Sequence, residues 1–344
     1  MKVLMFTHSD MDGYGCKLVM DITMHLLGCH DYQVIVCQNH EIDSKVNEHV
    51  VYPNVGPDTH VVFSDIAPSA GTMELLMLMV HDGIIKHVHV FDHHESNLIL
   101  KDTVGSDAII YADDKETGKM ECGTSIIYME AAMLLAARQV DTSVIDEKLY
   151  ADIIDNIRLS DTYTWKVDNA YSAKQLNTMF SMIGGDNFVR KYYDRILAKD
   201  NSPMFTQTEL EFINGKLDYN NSIINNVSPA DFISTDISGY HVALLMKSVA
   251  ANISDVADSF LERFPEYDAV MNLNIFGNWQ ISMRTRKDTV NLSDLAVELG
   301  GGGHPKASGA PVPKELKEMI TDAIIKYLNH RPFTATISCD YEVR

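Results

Sequence analysis

The N-terminal part of the chain alternates short apolar runs with stretches of helical spacing. KVLMFT (2–7) is an unbroken apolar run. Residues 14–27 (YGCKLVMDITMHLL) place Leu18, Ile22 and Leu26 at i, i+4 and i+8, one buried stripe of a helix. DYQVIVCQ (31–38) reads as a second strand. HVVFSD (60–65) is a third, followed by the helix-like SAGTMELLMLMV (69–80), and HVHVFD (87–92) is a fourth. Strands alternating with helices pair in parallel through crossovers, so this part is expected to be an α/β domain. Residues 122–138 and 144–159 read as helices, and 186–227 is polar, mostly helical and broken by NSP (201–203). YHVALLM (240–246), a helix over 251–263, β-like runs at 268–276 and 279–286, and a short helix over 291–298 come next. The run GGGGHPKASG (300–309) and a last helix over 314–328 complete a smaller α/β region. The expected division is a parallel-sheet domain at 1–185, a helical linker at 186–235, a second domain at 236–330 and a tail at 331–344.

Composition narrows the class of function. The chain has 344 residues, 46% hydrophobic and 22% charged, as in ordinary folded globular proteins. Its net charge of −20 would repel a long polyanion, so no long duplex nucleic acid is expected as a partner. The five cysteines (16, 29, 37, 122 and 339) contain no CxxC pair, which suits reduced thiols in a cytoplasmic protein. The longest largely apolar stretch, IIYMEAAMLLAA (126–137), is too short to span a bilayer and carries Glu130. No basic segment followed by an apolar one opens the chain, so neither a signal peptide nor a membrane partner is expected.

Three predicted strands run out into potential metal ligands. KVLMFT leads into His8, Asp10 and Asp12, VVFSD stops at Asp65, and HVHVFD stops at Asp92, followed by His93 and His94. A polar turn accounts for any one of these, since Asp, Ser and Gly are common turn formers. It does not account for three strands converging on carboxylates and imidazoles. Ligand sites of open α/β sheets lie just beyond the carboxyl ends of the strands, so these residues should share one crevice. Carboxylates mixed with imidazoles and no thiolate suit Mn²⁺ or Mg²⁺, with Fe²⁺ or Co²⁺ also possible, better than structural zinc. That many ligands could serve two ions with a bridging carboxylate and an attacking hydroxide.

HSDMDG, the Asp of FSDIAP, FDHHES, SDTYTW and GGGHPKASG resemble, in that order, the motifs of the DHH phosphoesterase superfamily with its DHH-associated C-terminal domain. The similarity is strongest to bacterial oligoribonucleases that degrade nanoRNA. It implies an α/β fold with the active site in the cleft between an N-terminal parallel-sheet domain and a smaller C-terminal α/β domain. It also implies that His8 and Asp10 hold one Mn²⁺ while Asp12, His93 and Asp161 hold the second, with Asp65 as the bridge. Asp92 would orient an imidazole, and His94 would face the phosphate as hydrogen-bond donor or leaving-group acid. Asp161 sits in the loosely matching RLSDTYTW, and Asp152, Asp155 and Asp168 compete for its role.

The glycine run exceeds what a helix end needs. It is expected to let backbone amides of Gly301, Gly302 and Gly303 approach an anion as a nest, with His304 adding a donor. The resemblance makes this segment a platform for phosphate and base, with Arg284 of ISMRTR as a fork for a phosphate and Arg286 as the competing candidate. His87 and His89 are expected on one face of a strand beneath a helix, and Trp165 and Trp279 in buried packing. The expected activity is Mn²⁺-dependent hydrolysis of short RNA oligonucleotides to mononucleotides. Alternatives are hydrolysis of linear or cyclic dinucleotides or of 3′-phosphoadenosine 5′-phosphate, single-strand DNA exonuclease action, and a non-catalytic nucleotide-binding module.

Overall fold

The computed structural model describes every residue except 54, 111–119, 167, 238, 246–251, 276–278 and 330–344, so the expected tail at 331–344 and Cys339 lie outside the described residues. The first sheet contains β1 (Lys2–His8), β2 (Tyr32–Cys37), β3 (Thr59–Ser64), β4 (His87–Asp92) and β5 (Ala108–Ile110). They lie in the order β2-β1-β3-β4-β5, parallel throughout. Period-2 alternation sorts the two faces. Leu4, Phe6, Val61, Phe63, Val88 and Val90 pack on one side with Met73 and Leu76 of α3 (Ala70–His81). The short α2 (Ile42–Val46) and α4 (Leu100–Val104) close that layer. Val3, Met5 and Val62 face the other side, under α1 (Met11–Leu26) and α5 (Gly123–Ala137). A parallel sheet covered on both faces explains why its strands read as nearly continuous apolar runs.

α1 begins at Met11, three residues before the apolar spacing predicts, because the Asp10 side chain caps it by accepting from the Gly13 amide at 3.0 Å. α6 (Lys148–Asp161), α7 (Tyr171–Ile183), α8 (Gly185–Leu197) and α9 (Gln207–Asn226) follow α5. α7 has no counterpart among the predicted elements, since its buried stripe, Ala173, Leu176 and Met179, is short and set among polar residues. Phe188, Tyr192 and Ile196 of α8, and Ile213 and Leu217 of α9, are buried in the first core; Ile224, near the end of α9, belongs to the second. α9 therefore reaches from one core to the other.

The second sheet has the order β10-β11-β9-β8-β7-β6. Its strands are β6 (Ile233–Ile237), β7 (Tyr240–Leu245), β8 (Ala269–Asn274), β9 (Gln280–Arg284), β10 (Gly302–His304) and β11 (Ala307–Pro311). Only β7 and β8 pair in parallel, with α10 (Ile253–Arg263) as their crossover. α11 (Leu292–Glu298) precedes the glycine run and α12 (Lys314–Asn329) follows β11. The run is not the open nest its composition suggests. The amides of Gly300 and Gly301 donate to Val297 and Ala296 at 3.0 and 2.7 Å, ending α11, and Gly302 and Gly303 enter a hairpin. Close backbone packing explains the glycines there: a Cβ on Gly301 would lie 2.1 Å from the Gly309 carbonyl oxygen. Among the described residues no helix is long and apolar enough to cross a membrane.

A carboxylate and imidazole cluster at the strand tips

The strand order reverses beside β1, and the tips of β1, β3 and β4 open into the crevice this creates. His8 ends β1, Asp65 follows β3, and Asp92 ends β4. Asp65 holds a left-handed backbone (φ 59°), with its amide donating to the Phe91 carbonyl at 3.0 Å. A residue with a Cβ rarely adopts that conformation, and such strain persists where the surroundings fix a functional side chain. Asp161 arrives from the last residue of α6.

Among the described residues these side chains form four overlapping groups, two of which, Asp65-Asp92-His93-His94 and His93-His94-His304, centre on the paired histidines, and two of which match the expected division. His8, Asp10 and Asp65 bring their ligand atoms within 4.8 Å of one another, with His8 Nδ1 2.8 Å from Asp10 Oδ2. Asp12, His93 and Asp161 do the same. His93 Nε2 lies 3.3 Å from Asp65 Oδ1, 3.4 Å from Asp161 Oδ2 and 3.7 Å from Asp12 Oδ2, so Asp65 touches both groups. Of the competitors to Asp161, Asp152 pairs with Lys148 and Asp155 with Arg158, and Asp168 is in neither group.

The donor set fits a divalent cation. An imidazole nitrogen carries at most one proton, which cannot satisfy three carboxylates, and Oδ2 of both Asp65 and Asp161 is buried without a hydrogen-bond partner. Burial, reinforced by the charges of Asp12 and Asp10, pushes the carboxyls of Asp65 and Asp161 well above the usual range. Burial, with the charge of His94 adding to it, lowers the imidazole of His93. Positive charge placed among these oxygens would relieve their repulsion, and an all-oxygen-and-nitrogen set suits Mn²⁺, Mg²⁺, Fe²⁺ or Co²⁺.

Supporting contacts fix these side chains. Asp12 accepts from the amides of Gly123 (2.7 Å) and Thr124 (2.8 Å) at the N-terminus of α5, where the helix dipole favours a carboxylate. Only glycine fits at 123, since a Cβ there would sit 2.6 Å from Cβ of Asp65. The one local sign of Gly123 and Thr124 in the sequence is Gly-Thr-Ser opening an apolar helix, a helix-start signal that says nothing of Asp12. Asp92 Oδ1 accepts from His94 Nδ1 at 2.7 Å and from the His93 amide at 2.7 Å, so the imidazole it orients is that of His94. Burial pulls the His94 pKa down, but the charge and hydrogen bond of Asp92 outweigh it and raise it to about 9.

The second domain reaches this cluster through His304, whose ring centroid lies 5.1 Å from that of His93 and 5.2 Å from that of His94. Arg284 is stacked over Tyr163 at 5.4 Å, bordering the site. Arg286 lies past the end of β9 and pairs with Asp258 at 2.9 Å, so the two arginines do not share a strand face. Two clefts meet at Asp10 and Arg284. One, about 680 Å³, is lined by Trp279, Gln280, Gly301, Gly302 and Lys317. The other, about 670 Å³, is lined by Asp12, Asp161, Tyr163, Trp165, Lys174 and Lys216. Trp165 and Trp279 are thus half-buried cleft walls, not core residues. Gly303 and His304 line neither cleft.

Residues 237–330 match the family model of the DHHA1 domain. The chain is 23% identical over 320 residues to oligoribonuclease NrnB of Bacillus subtilis (strain 168), covering 92% of this chain and 74% of that one. It is 19% identical over 363 residues to a 3′,5′-cyclic-nucleotide phosphodiesterase of Helicobacter pylori (strain ATCC 700392 / 26695), covering 94% and 98%. Its fold is similar to that of exonuclease RecJ bound to manganese, with a TM-score of 0.53 at 14% identity over 96% of this chain and 91% of that one. Ordered motifs, fold and the DHHA1 domain over residues 237–330 make the chain similar to the DHH phosphoesterases, and with these relatives they indicate a phosphoester-hydrolysing enzyme.

Proposed function

We propose that this enzyme hydrolyses short RNA oligonucleotides to mononucleotides with two divalent cations, Mn²⁺ foremost. The observation that carries the reading is the meeting of the acidic cluster with His304, which brings a candidate metal-binding wall against the second domain. His8, Asp10 and Asp65 would hold one cation; Asp12, His93 and Asp161 would hold the other, with Asp65 shared. When bound, the cations supply an activated water and withdraw charge from the phosphate oxygens. The water oxygen forms a bond to phosphorus as one ester P–O bond breaks, and the departing oxygen takes up a proton. His94, held by Asp92, is placed to donate a hydrogen bond to a phosphate oxygen or to that departing oxygen. Arg284, His304 and the cleft-lining Gly301 and Gly302 hold the rest of the substrate.

Two short clefts in a chain of net charge −20 suit a small substrate better than a long strand. The similarity to NrnB supports RNA as the substrate. The free cysteines Cys16, Cys29, Cys37 and Cys122 support a cytoplasmic location. The test is purified protein loaded with Mn²⁺ and given end-labelled ribonucleotides two to five residues long. Stepwise release of mononucleotides is expected, and its absence would overturn the proposal. The similarity to the cyclic-nucleotide phosphodiesterase favours a second reading, ring opening of a 3′,5′-cyclic nucleotide at the same cluster. Including such a substrate in the panel separates the two.

A further inference from the structure

The cleft on the Trp165 side has features the proposed mechanism leaves unused. It is walled by Tyr163 and Trp165 from the segment after α6, by Lys174 and Asn177 of α7, and by Lys216 and Asn220 of α9. Among the described residues no carboxylate pairs with Lys216, and the nearest to Lys174 is Asp255 at 3.8 Å. The ammonium group of Lys174 lies 5.1 Å from the Trp165 ring centroid. Asn220 Oδ1 is buried without a hydrogen-bond partner. In a protein with twenty more acidic than basic side chains, Lys174 beside Trp165, with Lys216, Tyr163 and two amides in the same cleft and Asp255 shared by Lys174 and the Tyr163 hydroxyl, is a concentrated set of groups for a phosphate and a base. The volume, about 670 Å³, falls within the roughly 300–1,000 Å³ of small-ligand sites.

The position matters as much as the lining. This cleft and the Trp279 cleft lie on either side of the acidic cluster and share Asp10 and Arg284. A phosphodiester at the cluster has a nucleoside on each side of phosphorus, and each cleft can take one. Resting on the function proposed above, we propose that the Tyr163, Trp165, Lys174 and Lys216 cleft is a second nucleotide subsite, binding the part of a short oligonucleotide across the scissile phosphate from the Trp279 cleft. Lys174 and Lys216 take its next phosphate, and the aromatic rings and amides take its base. This subsite makes a substrate with phosphates on both sides of the cut bond better than a bare dinucleotide.

The chain's two tryptophans, one in each cleft, provide the test. Trp279→Phe leaves Trp165 as the reporter, and Trp165→Phe leaves Trp279. Each protein is titrated with a triribonucleotide in Ca²⁺ in place of Mn²⁺, and chromatography verifies that the ligand is intact. Saturable quenching of Trp165 is expected, with Lys216→Ala in the Trp279→Phe protein shifting the midpoint about tenfold and Lys216→Arg restoring it. In turnover with Mn²⁺, Lys216→Ala should raise KM for the trinucleotide more than it lowers kcat. A silent Trp165 beside a responding Trp279, in an enzyme that cleaves the trinucleotide, overturns the subsite and leaves the function intact. No cleavage by the wild-type enzyme overturns the function and the subsite with it.

Discussion

The imidazole of His304 on β10 lies nearly parallel to that of His94 beyond β4, with centroids 5.2 Å apart and planes 24° from parallel. The two rings come from different sheets, so this contact closes one domain on the other at the acidic cluster. Burial, with the charges of His94 and His93 adding to it, lowers the pKa of His304 to about 3, so the ring is neutral beside them. His304→Ala is expected to lower kcat/KM about ten- to hundredfold, or roughly 1.4–2.7 kcal/mol of transition-state stabilisation. Steady-state kinetics on a dinucleotide measures this. Calorimetric titration should show metal still binding.

Asp65 touches both ligand groups, and its second oxygen has no partner. Asp65→Asn is therefore expected to cost at least about a thousandfold in kcat, as losses at centres that activate water and charge do. Metal analysis should find fewer ions per chain than in the wild type. Full activity in the variant would remove the cluster from the mechanism.

A methyl group at position 123 has nowhere to go, since it meets the Asp65 side chain at 2.6 Å and Asp12 Oδ2 at 3.0 Å. Gly123→Ala is expected to destabilise the fold by about 1–3 kcal/mol, the usual cost of overpacking. It should also weaken metal binding, because Asp12 and Asp65 must part. Thermal melts with and without Mn²⁺ test both effects.

Buried carboxylates facing one another should make a metal-free protein the less stable form. Chelation should lower the melting temperature, and Mn²⁺ at about a hundred times its dissociation constant should restore roughly 2.7 kcal/mol. Differential scanning calorimetry after EDTA treatment provides the measurement. No shift on chelation would mean that the cluster holds no ion in solution.

On the first sheet, His60, His87 and His89 form a ladder, with the His60 and His89 rings 6.0 Å apart and 3° from parallel. His87 is exposed, so this face is not fully covered by a helix as the sequence suggested. Burial chiefly lowers the His89 pKa, the charge of Asp107 opposes it, and His87 adds to the lowering. Burial followed by His89 and His87 lowers that of His60. At these two imidazoles the unfolded chain binds more protons than the fold, so the stability they contribute is lost as pH falls through the unfolded value near 6.5. Between pH 7 and 5.5, His89→Gln should show a shallower loss than wild type in urea-melt midpoints.

The sequence by itself determined the alternation of strands and helices in the first domain, because a sheet buried on both faces requires continuous apolar runs such as KVLMFT and HVVFSD. It also marked His8, Asp65 and Asp92, because strand ends are where apolar patterning stops. It did not reveal β6, where Ile233 and Ile237 face solvent, or the hairpin through Gly302, whose backbone pairing leaves no periodic signature. Gly123 and Thr124 became visible only once α5 packed its N-terminus on Asp12, more than a hundred residues away in the chain. The position of Arg284, not Arg286, beside the clefts, the pairing of Asp92 with His94 and the two tryptophan-lined clefts likewise depend on tertiary packing. Local spacing governs which side chains can face a core, whereas contacts between elements distant in sequence depend on how the layers close.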